Sequence, residues 1–137
     1  MEILRSVLRE LPEFQQLLAA LDSGQSPAAV SGLAAVHRAH FAACLGQESG
    51  RPVVVVCADE GEAERMARDL SFLTGGEVPV LAARSFLFHN IATVSRQWEH
   101  RRLRLLYRLT RGEVPCLVAT VEALLQRTLP PEAVAIR

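Results

Sequence analysis

The sequence contains no lysine: all 15 of its basic residues are arginine. That excludes a phosphate-loop lysine and a Schiff-base lysine outright. Cysteine is scarce and scattered. Cys44, Cys57 and Cys116 form no Cys-x-x-Cys pair, which argues against a zinc site and for reduced, buried thiols in a cytosolic protein. No apolar run reaches the ~18 residues that span a bilayer, and the early acids, with no small-residue cleavage site, read as no signal peptide. Formal net charge is zero, so no global field draws in nucleic acid or an anionic membrane. What is present suits a globular fold: 137 residues, half of them hydrophobic and 22% charged, bury a core without disulfides or metals.

The pattern along the chain alternates helix and strand. Residues 1–21 read as helical, with Ile3, Leu4, Val7, Leu8 and Leu11 at helical spacing, a break at Pro12, and Phe14, Leu17, Leu18 and Leu21 continuing the stripe. Ala28–Gly32 is expected as a short buried strand. A helix follows from His37 to Leu45, with Val36, Phe41, Ala42 and Leu45 inward. Val53–Cys57 is an unbroken β-branched run, which predicts a parallel strand covered on both faces. Asp59 caps the next helix, lined by Ala63, Met66, Ala67, Leu70 and Leu73 and stopped at Gly75-Gly76. Val78–Leu81 is a strand, 95–110 a helix, Cys116–Ala119 a strand, Thr120 the cap of a helix reaching Gln126, and Val134–Ile136 a last strand. This order predicts one α/β domain over 1–137 with a helical N-terminal segment (about 1–25), a parallel sheet and helices on both faces. No linker divides it, and a final strand running into Arg137 reads as a domain cut from a longer, multidomain protein.

In such a fold a phosphate binds after the first strand, through Gly-x-x-x-x-Gly-Lys-Ser/Thr. The corresponding stretch here runs from Gly32 to Ala39. Gly32 is retained. His37 stands at the second glycine, where a Cβ disfavours the required left-handed backbone. Arg38 replaces lysine, and Ala39 offers no oxygen to magnesium. The strand at Cys116–Ala119 is followed by Thr120-Val121-Glu122 rather than by the acids that organise magnesium and water in ATPases. The reading is a degenerate phosphate loop, with no catalytic residue, cofactor or metal in this domain.

Several segments carry a family resemblance. They are Ser31-Gly32-Leu33 with its helix, Arg51–Val56, Leu81–Phe88, and Val118–Arg127 followed by Leu129-Pro130-Pro131-Glu132. Their order resembles the N-terminal module of bacterial transcription-repair coupling factors, itself similar to the nucleotide-binding domain of UvrB. The resemblance implies a three-layer RecA-like (P-loop NTPase-like) fold and a phosphate loop that has lost ATPase activity. It implies a cytoplasmic, ATP-dependent DNA translocase as the parent. Such a parent carries ATP and magnesium in a separate motor, removes stalled RNA polymerase from double-stranded DNA, and recruits UvrA for nucleotide excision repair. One departure separates the chain from UvrB: His89–Val94 is too short for a long tyrosine-rich hairpin, and holds no tyrosine. The expected role is therefore a scaffold that contacts other domains of the parent.

Two other classes stay open on the residues alone. Arg101, Arg104, Arg108 and Arg111 line one helix face, which reads first as the solvated side of an amphipathic helix and otherwise could meet an acidic surface or act as a DNA-binding module. Retained Gly32 and Arg38 could instead serve a live nucleotide-binding domain of a UvrB-like or helicase-like ATPase. His37 and His40 share a helix without a third ligand; Phe86 and Phe88 read as packing beneath their loop; Arg84 reads equally as a surface residue or as a carboxylate partner.

Overall fold

A computed structural model describes residues 2–83, 91–126 and 130–132. Its elements are α1 (Glu2–Arg9), α2 (Pro12–Asp22), α3 (Ala35–Ser49), β1 (Val53–Cys57), α4 (Glu60–Thr74), β2 (Val80–Leu81), α5 (Ile91–Thr110), β3 (Cys116–Thr120) and α6 (Val121–Leu125). The three strands form a parallel sheet in the order β1-β3-β2, with Val53 opposite Cys116 and Val80 opposite Val118. The expected strand at Val134–Ile136 and the segment Arg84–Asn90 lie outside the described residues.

Helices cover both faces of β3, as the strand–helix alternation requires. On one face Val53, Val55, Cys57, Cys116 and Val118 meet the small residues Ala39 and Ala43 of α3 and Ala63, Ala67 and Leu70 of α4. On the other, Leu117 and Ala119 pack against Leu105 of α5 and Ala123 of α6. β3 is buried along its whole length.

Local chemistry sets the element ends. Asp59 Oδ1 accepts the Glu62 backbone N–H at 2.8 Å, and the Glu62 carboxylate accepts the N–H of Ala58 at 3.2 Å, satisfying two donors at the start of α4. Thr120 Oγ1 accepts the Ala123 N–H at 3.1 Å and starts α6. Pro12 occupies the first turn of α2, where its missing N–H costs nothing. The N-terminal helices are fixed to α3 by Phe14, which meets the Phe41 ring edge-on at 5.5 Å, and by the Arg5–Glu48 ion pair at 3.1 Å.

Four expectations need correction. Residues 28–32 form no strand; they run exposed between α2 and α3, with no sheet neighbour to take their backbone hydrogen bonds. On α1 and at its end, Ile3, Val7 and Leu11 are exposed, whereas Leu8 is half-buried and Arg5 and Arg9 both reach Glu48 of α3. Val36 is exposed as well, although Ala42 packs against the core and Phe41 against Phe14, beside the more deeply buried Ala39, Ala43 and Cys44. The valine run of β1 is covered on one face only. Val54 and Val56 are 53% and 50% exposed. They lie on the side that α5 and α6 cover over β3, and that cover does not extend to β1.

Candidate functional site

The stretch expected to be a phosphate loop lacks the strand that would precede it. Gly32 has a left-handed backbone (φ 83°), but it sits in an exposed segment. α3 begins at Ala35, so His37, Arg38 and Ala39 all lie inside the helix. His37 and Arg38 point to solvent, whereas Ala39 is fully buried against the sheet. The cap residue, Ala34, has no side-chain oxygen for the helix start. The four residues of the motif are thus divided between an exposed loop, a helix surface and the core. His40, three residues from His37, keeps its Nε2 buried without a hydrogen-bond partner.

The second expected site, the arginine face of α5, is partly assembled and shifted along the helix. Arg101 and Arg104 are exposed and line a shallow groove with Arg96, Gln97 and His100. These residues recur at helical spacing and so share one face. Arg108 is half-buried. Arg111 lies just beyond the end of α5, where its Nε donates to the Glu113 carboxylate at 2.7 Å and a terminal nitrogen donates to the Tyr107 hydroxyl at 3.1 Å. Those two hydrogen bonds hold its guanidinium above the ordinary arginine range. The cationic face is therefore Arg96, His100, Arg101 and Arg104 rather than the run from Arg101 to Arg111.

Arg102 was not among the expected residues. It is 7% exposed, its guanidinium stacks over the Trp98 ring at 5.2 Å, and one terminal nitrogen donates to the Ala123 carbonyl at 3.1 Å. Its Nε and other terminal nitrogen are buried without a partner. Burial lowers its pKa from the usual arginine value. The signal was in the sequence: Arg102 falls at helical spacing from Trp98, Leu105 and Leu109, placing a charge on the apolar stripe of α5. The Trp98 indole N–H donates to the Ala82 carbonyl at 3.2 Å, so this pair joins α5 to the end of β2 and to α6.

The three thiols are free and buried, as expected. Desolvation raises the pKa of each; at Cys57 the carboxylates of Glu62 and Asp59 push the same way. A raised folded pKa means that the thiols cost nothing below the unfolded value of about 8.5. Above it the unfolded chain loses protons first, so stability falls as pH rises towards the folded pKa. Urea unfolding should accordingly show a midpoint that declines between about pH 8 and 10. Replacing Cys57 and Cys116 by alanine should flatten that decline, and an unchanged slope would assign it to other groups.

Among the described residues no helix is long and apolar enough to cross a membrane. Sheet, layers and order of elements define the class, an α/β domain on a parallel sheet. Within it, the chain is similar to two curated proteins. It is 28% identical over 132 residues to the transcription-repair-coupling factor of Bacillus subtilis (strain 168), a match covering 96% of this chain and 11% of that protein. It is 33% identical over 125 residues to the transcription-repair-coupling factor of Myxococcus xanthus, covering 85% of this chain and 10% of that protein. No family model and no solved structure matches. The chain is a relative of one segment of the transcription-repair-coupling factors, and it spans about a tenth of their length.

Proposed function

We propose that this chain is a non-catalytic scaffold domain of a transcription-repair coupling factor, with a UvrB-like, RecA-like ancestry and an inactive phosphate loop. The observation that carries the reading is the placement of Ala39. A residue that would hold magnesium must face the phosphate, but here it faces the sheet, and the glycine that would open the loop lies in an exposed, strandless segment. Arg38 keeps a positive charge at the surface of α3 without the glycine-lined cradle that makes such a charge a phosphate site.

A scaffold also needs surfaces to dock. Val54 and Val56 on β1, with Val121, Leu124 and Leu125 of α6, stay exposed on elements that share one side of the sheet. Exposed apolar side chains grouped in this way mark contact with other protein. The natural occupant is another part of the same long polypeptide, since the relatives are some ten times longer than the aligned segment. The cationic groove of α5 suits an acidic surface of the same parent. On this reading ATP and magnesium, RNA polymerase, UvrA and double-stranded DNA are handled by other parts of a cytoplasmic parent protein.

Calorimetric titration with Mg-ATP tests the proposal. The expected result is no saturable heat in the wild-type chain or in Arg38→Ala. Micromolar binding abolished by Arg38→Ala would overturn it in favour of a live nucleotide site.

A further inference from the structure

At the amino ends of the three strands lies a cavity of about 540 Å³, far from the loop that would have held a nucleotide. It is formed where α3 and α4 finish and where the chain enters β1, β2 and β3. Its volume falls within the range of small-molecule pockets. Ala42, Ala43, Val53, Val78, Val114 and Cys116 give it an apolar wall without aromatic rings. On this wall α3 presents alanines, and Gly46 lets the helix approach β1 closely: a Cβ there would meet Val53 Cγ2 at 2.8 Å.

The rim has a defined electrostatic sign. In parallel β-α-β units the helices run back against the strands, so their C-termini collect at this edge. Glycines of positive φ cap α3 and α4, Gly50 at 66° and Gly75 at 75°, and Gly112 at 68° follows two residues after α5. Their N–H groups cap the carbonyls of Gly46, Ser71 and Leu109, and the helix ends still present the negative pole of the helix dipole. Two charged side chains join them. Arg51 lies 3.7 Å from Asp22, an exposed pair that sets a second carboxylate beside the arginine. Glu77 has no ion-pair partner among the described residues. An apolar wall beneath a negative rim selects against anions and rewards a ligand with a hydrophobic body and a positive head.

We propose that this cavity is a binding site for a small organic cation, an amine or amidinium attached to an apolar group of about ring size. The apolar body lies against Val53, Val78 and Val114, and the cationic head faces Glu77 and the helix ends. The site is independent of the scaffold reading, because it lies at the opposite end of the sheet from the phosphate loop.

The test uses the full 137-residue chain, isotope-labelled for amide spectroscopy, with benzamidine as the cation and benzamide and benzoate as its neutral and anionic counterparts. Benzamidine should shift the amides of Gly50, Gly76 and Gly112 saturably, with benzamide about fivefold weaker and benzoate weaker still. Glu77→Gln should weaken benzamidine by about fivefold and leave benzamide unchanged. Both Glu77 and Gln47 are exposed, so neither substitution removes core packing. Gln47→Arg, which places a positive charge on the rim, should act in the same direction. Equal binding of all three probes, shifts confined to other regions, or insensitivity to both variants would each overturn the proposal.

Discussion

Leu70→Ala should lower the stability of this chain towards the upper end of the ~2–5 kcal/mol range for buried leucines. Leu70 has no exposure at all, and with Phe14 and Val118 it is among the largest fully buried side chains. Its surroundings explain the expected size. The cluster around it contains Ala39, Ala43, Ala63 and Ala67, which have no rotamers with which to fill a void. Beneath them lies a hydrogen-bonded sheet that cannot sag without breaking its ladder. A cavity left at Leu70 therefore stays open, and the cost rises with its volume. For a chain of this length that corresponds to a fall in melting temperature of roughly 10–15 °C. The single tryptophan, Trp98, reports the transition by its fluorescence. Phe72→Ala supplies the control, since Phe72 lies on the same helix but is 77% exposed. Its effect should stay within about 0.5 kcal/mol, and comparable losses in both variants would contradict the core assigned here.

The second large effect concerns Arg102, where two substitutions should diverge. Arg102→Ala is expected to lose about 2–3 kcal/mol, because it removes the buried stem as well as the head. Arg102→Met should stay within about 1 kcal/mol of the wild type or exceed it. The head gains one hydrogen bond, worth about 0.5–1.5 kcal/mol, and a ring contact of similar size. Against that, each of its two buried nitrogens without a partner costs about 1–3 kcal/mol. Methionine keeps most of the stem and removes the unmatched donors, so the terms nearly cancel. Urea unfolding of both variants decides the matter. If methionine proves as destabilising as alanine, the guanidinium itself, rather than its stem, holds α5 to α6.

The frame was legible because its signals are local. A β-branched run made β1, an Asp59 cap with Glu62 behind it made α4, and Thr120 marked where β3 turns into α6. Coverage was harder to read. Four consecutive valines predict a strand buried on both faces, yet whether a helix lies above Val54 and Val56 depends on where α5 and α6 come to rest, which no window of sequence contains. The same limit explains the phosphate stretch. Gly32, His37, Arg38 and Ala39 could be compared with a motif position by position, but a motif acts only when strand, loop and helix follow in that order. Residues 28–32 are small and weakly apolar, and with no strand alongside them they stay out of the sheet. Arg102 was missed for the opposite reason. Counting arginines on a helix drew attention to a charged face and away from the one charge on the apolar face. The cavity at the strand entries could not be anticipated at all, since its lining comes from chain segments that are distant in sequence.

The half-covered valine strand also constrains how the chain is made. Val53 finds its pairing partner at Cys116, and β1 has no neighbour on its outer edge among the described residues. On a ribosome the valines emerge well before the strand that will shield them, and contacts so distant in sequence form slowly. Until then the segment is a short, uncharged stretch of high β propensity, the composition that promotes cross-β association between chains. Newly made copies crowded together at high expression would thus be exposed to strand-to-strand pairing at β1, and its outer edge keeps that hazard after folding wherever it stays uncovered.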